Sequence, residues 1–275
     1  MIPTQKQIEE FNTFGVVAIP DVLSKSQLET MGEAVDLAVA SRSGGDIRSL
    51  DEMSIYEQSF TQCINLWETD IEVRKFTFNS DLAELSAALL GAKKTRIWHD
   101  QALYKKSGGR KTDPHQDLPF WPISGQDHIT AWIPFNGSKI GGGAMSYLGG
   151  SHRSGIKKFG DITGNNAPFD YLSHPAAKNL TPITIETDPG TVVFHHSLTV
   201  HWADSNLSSE DRRVYCIIYF PDGCTYSKPW PHLIPDRRQM KLGEAYVTDL
   251  NPVTWPTSQT LPNTPFGRPP TTGFE

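Results

Sequence analysis

Two segments of this chain hold residue types that can bind a transition metal. The first is His115-Gln116-Asp117, within DPHQDLPFW. On an extended strand residues i and i+2 share a face, so His115 and Asp117 can converge while Gln116 points away. A neutral imidazole and one carboxylate are two of the three groups that hold non-haem iron(II) and leave the opposite coordination face open. Alone, a His-x-Asp is equally well explained by a solvated loop. The third ligand has to come from distant sequence, and GTVVFHHSLTVHWADSN offers His195, His196 and His201. A strand over GTVVFHH, a turn at SLT and a second strand beginning at Val200 would set His201 at a barrel mouth. His195 and His196 would then be donors to a ligand or core residues with satisfied hydrogen bonds.

The segment C-terminal to these histidines favours His201. RRVYCIIYF is a strong β run opened by two adjacent arginines. Only one of them can face the interior, because successive strand residues point to opposite sides. Arg212 shares a face with Val214, Cys216, Ile218 and Phe220, and Arg213 with Tyr215, Ile217 and Tyr219. Both faces are apolar, so alternation leaves the choice open. An interior guanidinium needs a carboxylate partner. A bound dicarboxylate would serve through a bidentate fork, and so would Asp204, Glu210 or Asp211.

The elements that must position these groups divide the chain. Up to about residue 91 helical signals dominate. Thr4 and Gln7 can form a capping box ahead of IEEFNTF, Gly15 can end that helix, and VVAIP reads as a short strand. Ser24 can cap a helix through LETMGEAVDLAVA, residues 41–45 read as a loop, and DLAELSAALLG as a helix. From about 92 to 222 short β-branched and aromatic runs alternate with Gly, Pro, Asn and Asp, which suggests an antiparallel sandwich or barrel. The expected fold is therefore mainly β with flanking helices, in one domain over residues 1–250. The Pro/Thr-rich stretch 251–275 is either disordered or a strap across the barrel.

Composition narrows the function classes. The 275 residues carry a formal net charge of -6, with 37% hydrophobic and 20% charged residues. That balance lacks the basic face of a nucleic-acid binder, and no apolar run approaches the roughly 20 residues of a membrane span. MIPTQKQIEEFNTFG has no signal-peptide pattern, so a cytoplasmic location is expected. Cys63, Cys216 and Cys224 form no CxxC pair and read as reduced thiols. Lys105, Lys106, Arg110 and Lys111 form a basic run that reads as a solvated loop or a means of recruiting an anion.

Taken in order, these motifs resemble the phytanoyl-CoA dioxygenase (PhyH-like) family. QIEEFNTFGVVAIPDVLSKSQLE is similar to its opening. NLWETDIEVRKF, DLAELSAALLG and WHDQALYKKSGG resemble a bacterial branch of it, and HITAWIPF with GGGAMSYLGGSHRSG resembles its middle segment. The likeness runs from about Gln5 to Phe220. It implies a double-stranded β-helix (a jelly-roll, cupin-like core), with His115, Asp117 and His201 as ligands of Fe(II). It also implies 2-oxoglutarate as co-substrate, its far carboxylate on Arg212 rather than Arg213, and O2 as oxidant. Trp132 corresponds to an aromatic lining the co-substrate pocket. Gln116 and Gln101 are further pocket candidates. Relatives often carry Ser where this chain has Ala203, and Ser205 is the candidate substitute. His152, in the Gly-Ser-His turn, is expected to stabilise that turn rather than touch metal.

The implied chemistry is oxidative decarboxylation to succinate and CO2, coupled to hydroxylation of a C–H bond in a small-molecule substrate. Halogenating relatives replace the carboxylate ligand by a small residue, so Asp117 implies hydroxylation over halogenation, with desaturation and ring chemistry left open. Phe120, Trp121 and Trp202 would flank the site. Two other classes share the ligand set: a cupin-like isomerase or hydrolase, which has no use for Arg212, and a non-catalytic binding protein, which would be expected to lose a ligand. The sequence carries no reading of oligomeric state or of the substrate's identity.

Overall fold

The structure, a computed structural model, describes residues 1–44, 46, 48–162 and 167–267. Helix α1 (Gln5–Phe14) starts on the Thr4/Gln7 capping box and stops at Gly15, whose φ of 71° is left-handed. Gly15 is required twice over, because a Cβ there would lie 2.3 Å from Thr199 Oγ1 and 2.4 Å from His152 Nδ1. Strand β1 (Val16–Ile19) leads to α2 (Lys25–Ser43), which begins on a second capping box, Ser24/Gln27. The helix runs through the expected loop at 41–43, and Gly44 ends it; residue 45 lies outside the described residues.

The expectation of helix up to residue 91 is corrected by β2 (Thr61–Ile64), which precedes α3 (Ile71–Thr77) and α4 (Ser80–Leu90). Then come β3 (Thr95–Lys105), β4 (Thr112–His115), β5 (Ile129–Pro134), β6 (Met145–Gly149), β7 (Thr181–Ile185), β8 (Val192–His196), β9 (His201–Ala203) and β10 (Arg212–Pro221). The chain closes with α5 (Leu233–Arg238) and β11 (Val253–Trp255).

The strands form two antiparallel sheets, one in the order β1-β8-β5-β10-β3-β11 with β2 also on β3, and one in the order β4-β9-β6-β7. Together they make the double-stranded β-helix. The larger sheet is covered on both sides. Its outer residues, among them Phe194, Ile133, Tyr215 and Ile217, pack on α2 and α4. Its inner residues, among them Val193, Trp132, Cys216 and Ile218, face the smaller sheet. A strand buried on both faces reads as a continuous apolar run, which is why RRVYCIIYF shows no alternation.

The C-terminal stretch is a strap as far as the described residues go. β11 pairs with β3, and Arg74 donates to the Pro262 carbonyl at 3.3 Å and the Thr264 hydroxyl at 2.8 Å. The remainder of the tail, 268–275, lies outside the described residues. Among these, no helix is long and apolar enough to cross a membrane.

Candidate active site

His115 ends β4 directly opposite His201 on β9, and their rings lie 4.2 Å apart between centroids. The pairing of the two histidines therefore comes from cross-strand register. Asp117 joins them by a route other than the extended strand expected. β4 stops at His115, and Asp117 is helical (φ -74°, ψ -46°) at the start of the 3-10 turn Leu118–Phe120. Its backbone N–H and that of Leu118 donate to the Ser197 carbonyl at 3.0 and 3.1 Å, pinning the segment to the turn between β8 and β9. Asp117 Oδ1 then lies 3.9 Å from His115 Nε2 and 3.6 Å from His201 Nε2.

The three side chains present ligand atoms within 4.8 Å of one another. In both histidines Nδ1 donates to a backbone carbonyl two residues earlier, of Asp113 and Thr199 respectively, each at 2.9 Å. That bond fixes the tautomer and leaves the Nε2 lone pair free. Burial pushes the His115 pKa down to about 4 and lowers that of His201, so both rings are neutral. Burial alone would raise the Asp117 carboxyl, but His201, His195 and His115 hold it well below its usual range. Two neutral imidazoles and an ionised carboxylate are the donor set suited to a divalent iron ion.

Strand alternation separates the other two histidines. His195 faces inward, its Nε2 3.4 Å from Asp117 Oδ2, where it orients the carboxylate. Thr130 is a longer partner of the same oxygen, at 3.5 Å. His196 faces outward, toward Asp127 at 3.4 Å, with the rings of Phe11 and His152 beside it. His152 stands in this outer group, away from the triad.

The triad opens into a cavity of about 390 Å³ lined also by Arg212, Trp132, Gln101, Thr112, Met145 and Cys216. Arg212 is buried, donates through Nη1 to the Gly143 carbonyl and lies 5.6 Å over the Trp132 ring. Its Nε has no hydrogen-bond partner among the described residues, and neither does the buried hydroxyl of Tyr147. Burial lowers the Arg212 pKa to about 10, still ionised at neutral pH. Arg213 points to the other side, where it pairs with Asp36 and donates to Asn136 at 3.0 Å.

Other expectations need correction. Gln116 does not face the cavity: its amide donates to the Ile156 and Leu198 carbonyls and accepts from the Lys158 N–H, so both ends are consumed by backbone. Ser205 is not among the lining residues, and nor is Trp202, which packs with Leu148, Tyr171 and Val200 in a separate cluster. Lys105 is no solvated loop residue. It is fully buried with its ammonium on the Arg110 carbonyl and Thr112 hydroxyl, while Arg110 and Lys111 pair with Asp113. The cavity also takes in His99, His232, Gln62 and Tyr56. His99 lies in the WHDQALYKKSGG segment, but nothing in that segment marks it as a site residue, and only the tertiary fold brings the four together.

The model of the phytanoyl-CoA dioxygenase (PhyH) family matches residues 11–214. A phytanoyl-CoA dioxygenase of Arabidopsis thaliana is 29% identical over 59% of this chain and 58% of its own length. A probable alpha-ketoglutarate-dependent hypophosphite dioxygenase of Stutzerimonas stutzeri is 28% identical over 50% of this chain and 48% of its own. The chain thus spans about half to two thirds of the length of the first curated relatives it matches. Among solved structures, the non-heme alpha ketoglutarate dependent carbocyclase SnoK from nogalamycin biosynthesis shares the fold, with a TM-score of 0.73 at 22% identity over 91% of this chain and 96% of that one. The epimerase SnoN, solved in complex with Fe3+, alpha ketoglutarate and nogalamycin RO, superposes with a TM-score of 0.71 at 20% identity over 91% of this chain and 98% of that one. With its motifs in order, its fold and a family match over most of its length, the chain belongs to the phytanoyl-CoA dioxygenase (PhyH) family.

Proposed function

We propose that this protein is an Fe(II)- and 2-oxoglutarate-dependent dioxygenase that hydroxylates a C–H bond of a small-molecule metabolite with release of succinate and CO2. The observation that carries the reading is Arg212, a buried cation with an unpartnered Nε in the cavity that also holds the metal triad. Such a guanidinium is costly unless an anion completes it, and no protein carboxylate pairs with it among the described residues. A cupin-type isomerase or hydrolase would have no need of it.

His115, Asp117 and His201 hold the iron, and His195 keeps Asp117 oriented through Oδ2. Bound iron supplies the activation of oxygen that drives co-substrate decarboxylation and substrate oxidation. Arg212 takes the distal carboxylate of 2-oxoglutarate, with Trp132 as the apolar plate beneath the guanidinium. Gln101 borders the same space, and its Oε1 accepts from Gln62 at 2.6 Å, which orients the amide.

The test is anaerobic addition of Fe(II) and 2-oxoglutarate, read by the weak visible charge-transfer band of the chelate. The wild type should develop the band, His201→Ala should lack it, and Arg212→Ala should require far more 2-oxoglutarate. Iron bound without any band in the wild type would sink the 2-oxoglutarate assignment.

A further inference from the structure

The cavity continues well past the co-substrate. On β3, Lys105 is paired with Arg212 and His99 with Ile218. Six residues of strand correspond to roughly 20 Å, further than a five-carbon diacid held by Arg212 can reach. At that far end the β3–β10 ladder is broken by a bulge: His99 pairs with Ile218 and Ile97 with Tyr219, leaving Trp98 unpaired. Bulges re-aim side chains beside active sites, and this one sets Trp98 and His99 together on the inner side. Trp98 stacks on His232 at 4.6 Å and 26°, and the His99 and His232 rings lie 6.4 Å apart.

The two rings offer opposite hydrogen-bonding groups. His99 Nδ1 donates to the Asp100 carbonyl at 3.3 Å, which leaves Nε2 as a bare acceptor. His232 Nδ1 accepts from the Ile234 N–H at 3.3 Å, which puts the proton of the neutral ring on Nε2 as a donor. Neither Nε2 has a hydrogen-bond partner among the described residues, and both histidines line the cavity. Burial lowers the His99 pKa to about 4 and that of His232 well below its usual value, so neither ring offers a charge.

The surroundings are aromatic: Tyr56, Phe60, Phe120, Trp121 and Trp230 line the cavity. Among its described lining residues Arg212 is the only lysine or arginine, and the carboxylates are Asp117 and Asp236. Among the described lining residues an anionic substrate would find no counter-ion other than Arg212, which the co-substrate takes; Arg110 and Lys111 lie outside the lining and share Asp113. We propose that His99 and His232 are the polar pair of the primary-substrate subsite, and that it takes an uncharged ring-bearing molecule whose hydroxyl group bridges them. A hydroxyl donates to His99 Nε2 and accepts from His232 Nε2, satisfying both. The assignment of this substrate class rests on the oxygenase reading above.

The test is anaerobic equilibrium dialysis of the Fe(II)- and 2-oxoglutarate-loaded protein against three probes: 2-naphthol, naphthalene and 2-naphthoate. 2-Naphthol should bind about tenfold or more tighter than either of the others, as expected for a hydroxyl that fills two hydrogen-bonding groups of the cavity wall. His99→Leu and His232→Leu should each bring 2-naphthol down to the affinity of naphthalene and leave naphthalene unchanged. His99→Gln, which keeps an acceptor, and His232→Gln, which keeps a donor, should recover part of the loss. A merely structural role for either ring would lower both affinities alike and overturn the proposal. Binding of 2-naphthoate as tight as 2-naphthol, or no binding of any probe, would also overturn it. Should the leucine variants fail to fold, the order of the three probes on the wild type decides. Absence of the charge-transfer band with 2-naphthol still preferred would fault the co-substrate assignment and leave this subsite standing.

Discussion

Asp100, fully buried, and Asp117, half-buried at the cavity, are carboxylates of the same barrel treated in opposite ways. Asp100, on the helix-covered side, accepts from the Leu66 and Trp67 N–H groups at 2.8 and 2.9 Å, from Thr77 Oγ1 at 3.1 Å and from the Tyr215 hydroxyl. Those bonds tie the 3-10 turn at 66–68, α3 and β10 to β3. Asp117, on the cavity side, has among the described residues only His195 at 3.4 Å and Thr130 at 3.5 Å on one oxygen, with the other left toward the two histidines. A buried carboxylate whose donors are complete holds the fold together, whereas one left incomplete has coordination to offer.

The largest effects should come from exchanging these roles. Asp117→Ala should reduce bound iron to background, measured by metal analysis after anaerobic loading, while changing metal-free stability by less than about 1 kcal/mol. Asp100→Ala should do the reverse. It strands the Leu66 and Trp67 N–H groups and removes an acceptor shared by Thr77 and Tyr215, and should cost about 3–5 kcal/mol in denaturant unfolding with the metal site retained in whatever fraction folds. If Asp100→Ala lost iron without losing stability, the distinction would fail.

Arg212 and Arg213 repeat the contrast on adjacent residues. Arg212→Ala should weaken 2-oxoglutarate binding by about 30- to 1000-fold in an anaerobic titration, the usual cost of removing a buried charge partner. Arg213→Ala breaks a pair with a half-exposed Asp36 and should move stability by about 1 kcal/mol or less, leaving co-substrate affinity unchanged. His195 and His196 sharpen it further. His195→Ala should cost about ten- to a hundredfold in iron affinity through the loss of carboxylate orientation, and His196→Ala should leave that affinity as it was.

The smallest effect is a pH dependence. His99, His115, His128 and His152 are each held at about 4, below the ordinary 6.5. A histidine with a depressed folded-state pKa contributes stability that is complete above 6.5 and is lost as pH falls toward 4. Asp100, raised by burial to about 6, acts with the opposite sign, its contribution fading as pH rises through 6. With His201 and His232 also lowered by burial, six histidines against one carboxyl predict that the melting temperature of the metal-free protein falls between about pH 7 and about pH 5. A melting temperature that rises over that interval would contradict it.

Much of this architecture is legible in the residues themselves. Capping boxes at Thr4 and Ser24 and the glycine stops at Gly15 and Gly91 are local signals, decided by hydrogen bonds within a few residues, and each of them marks a helix end. β2 is not legible, because TQCI lies in a stretch whose neighbours are helical and becomes a strand only by pairing with the edge of β3. The His-x-Asp motif points to two residues that do converge, but by a different route. Period-two geometry would put Asp117 on the strand, whereas its placement is set by a carbonyl 80 residues away, that of Ser197. Gln116 and Ser205 are pocket candidates only through the family resemblance, and a shared motif position does not determine which way a side chain turns.

What the sequence by itself determined was the inventory: the ligand types, their order, the two arginines that open the last barrel strand and the family they resemble. Which arginine faces inward needed the tertiary structure, because β10 is buried on both sides and its hydrophobicity carries no sign of direction. The same holds for His195 against His196, for the buried Lys105 inside a run that reads as surface, and for the His99–His232 pair. Those two histidines are 133 residues apart and meet only because a bulge in β3 and a cap on α5 turn them into one cavity. Local hydrogen bonding is written into short stretches of chain, but the direction of a side chain within a doubly covered sheet is decided by its partners across space.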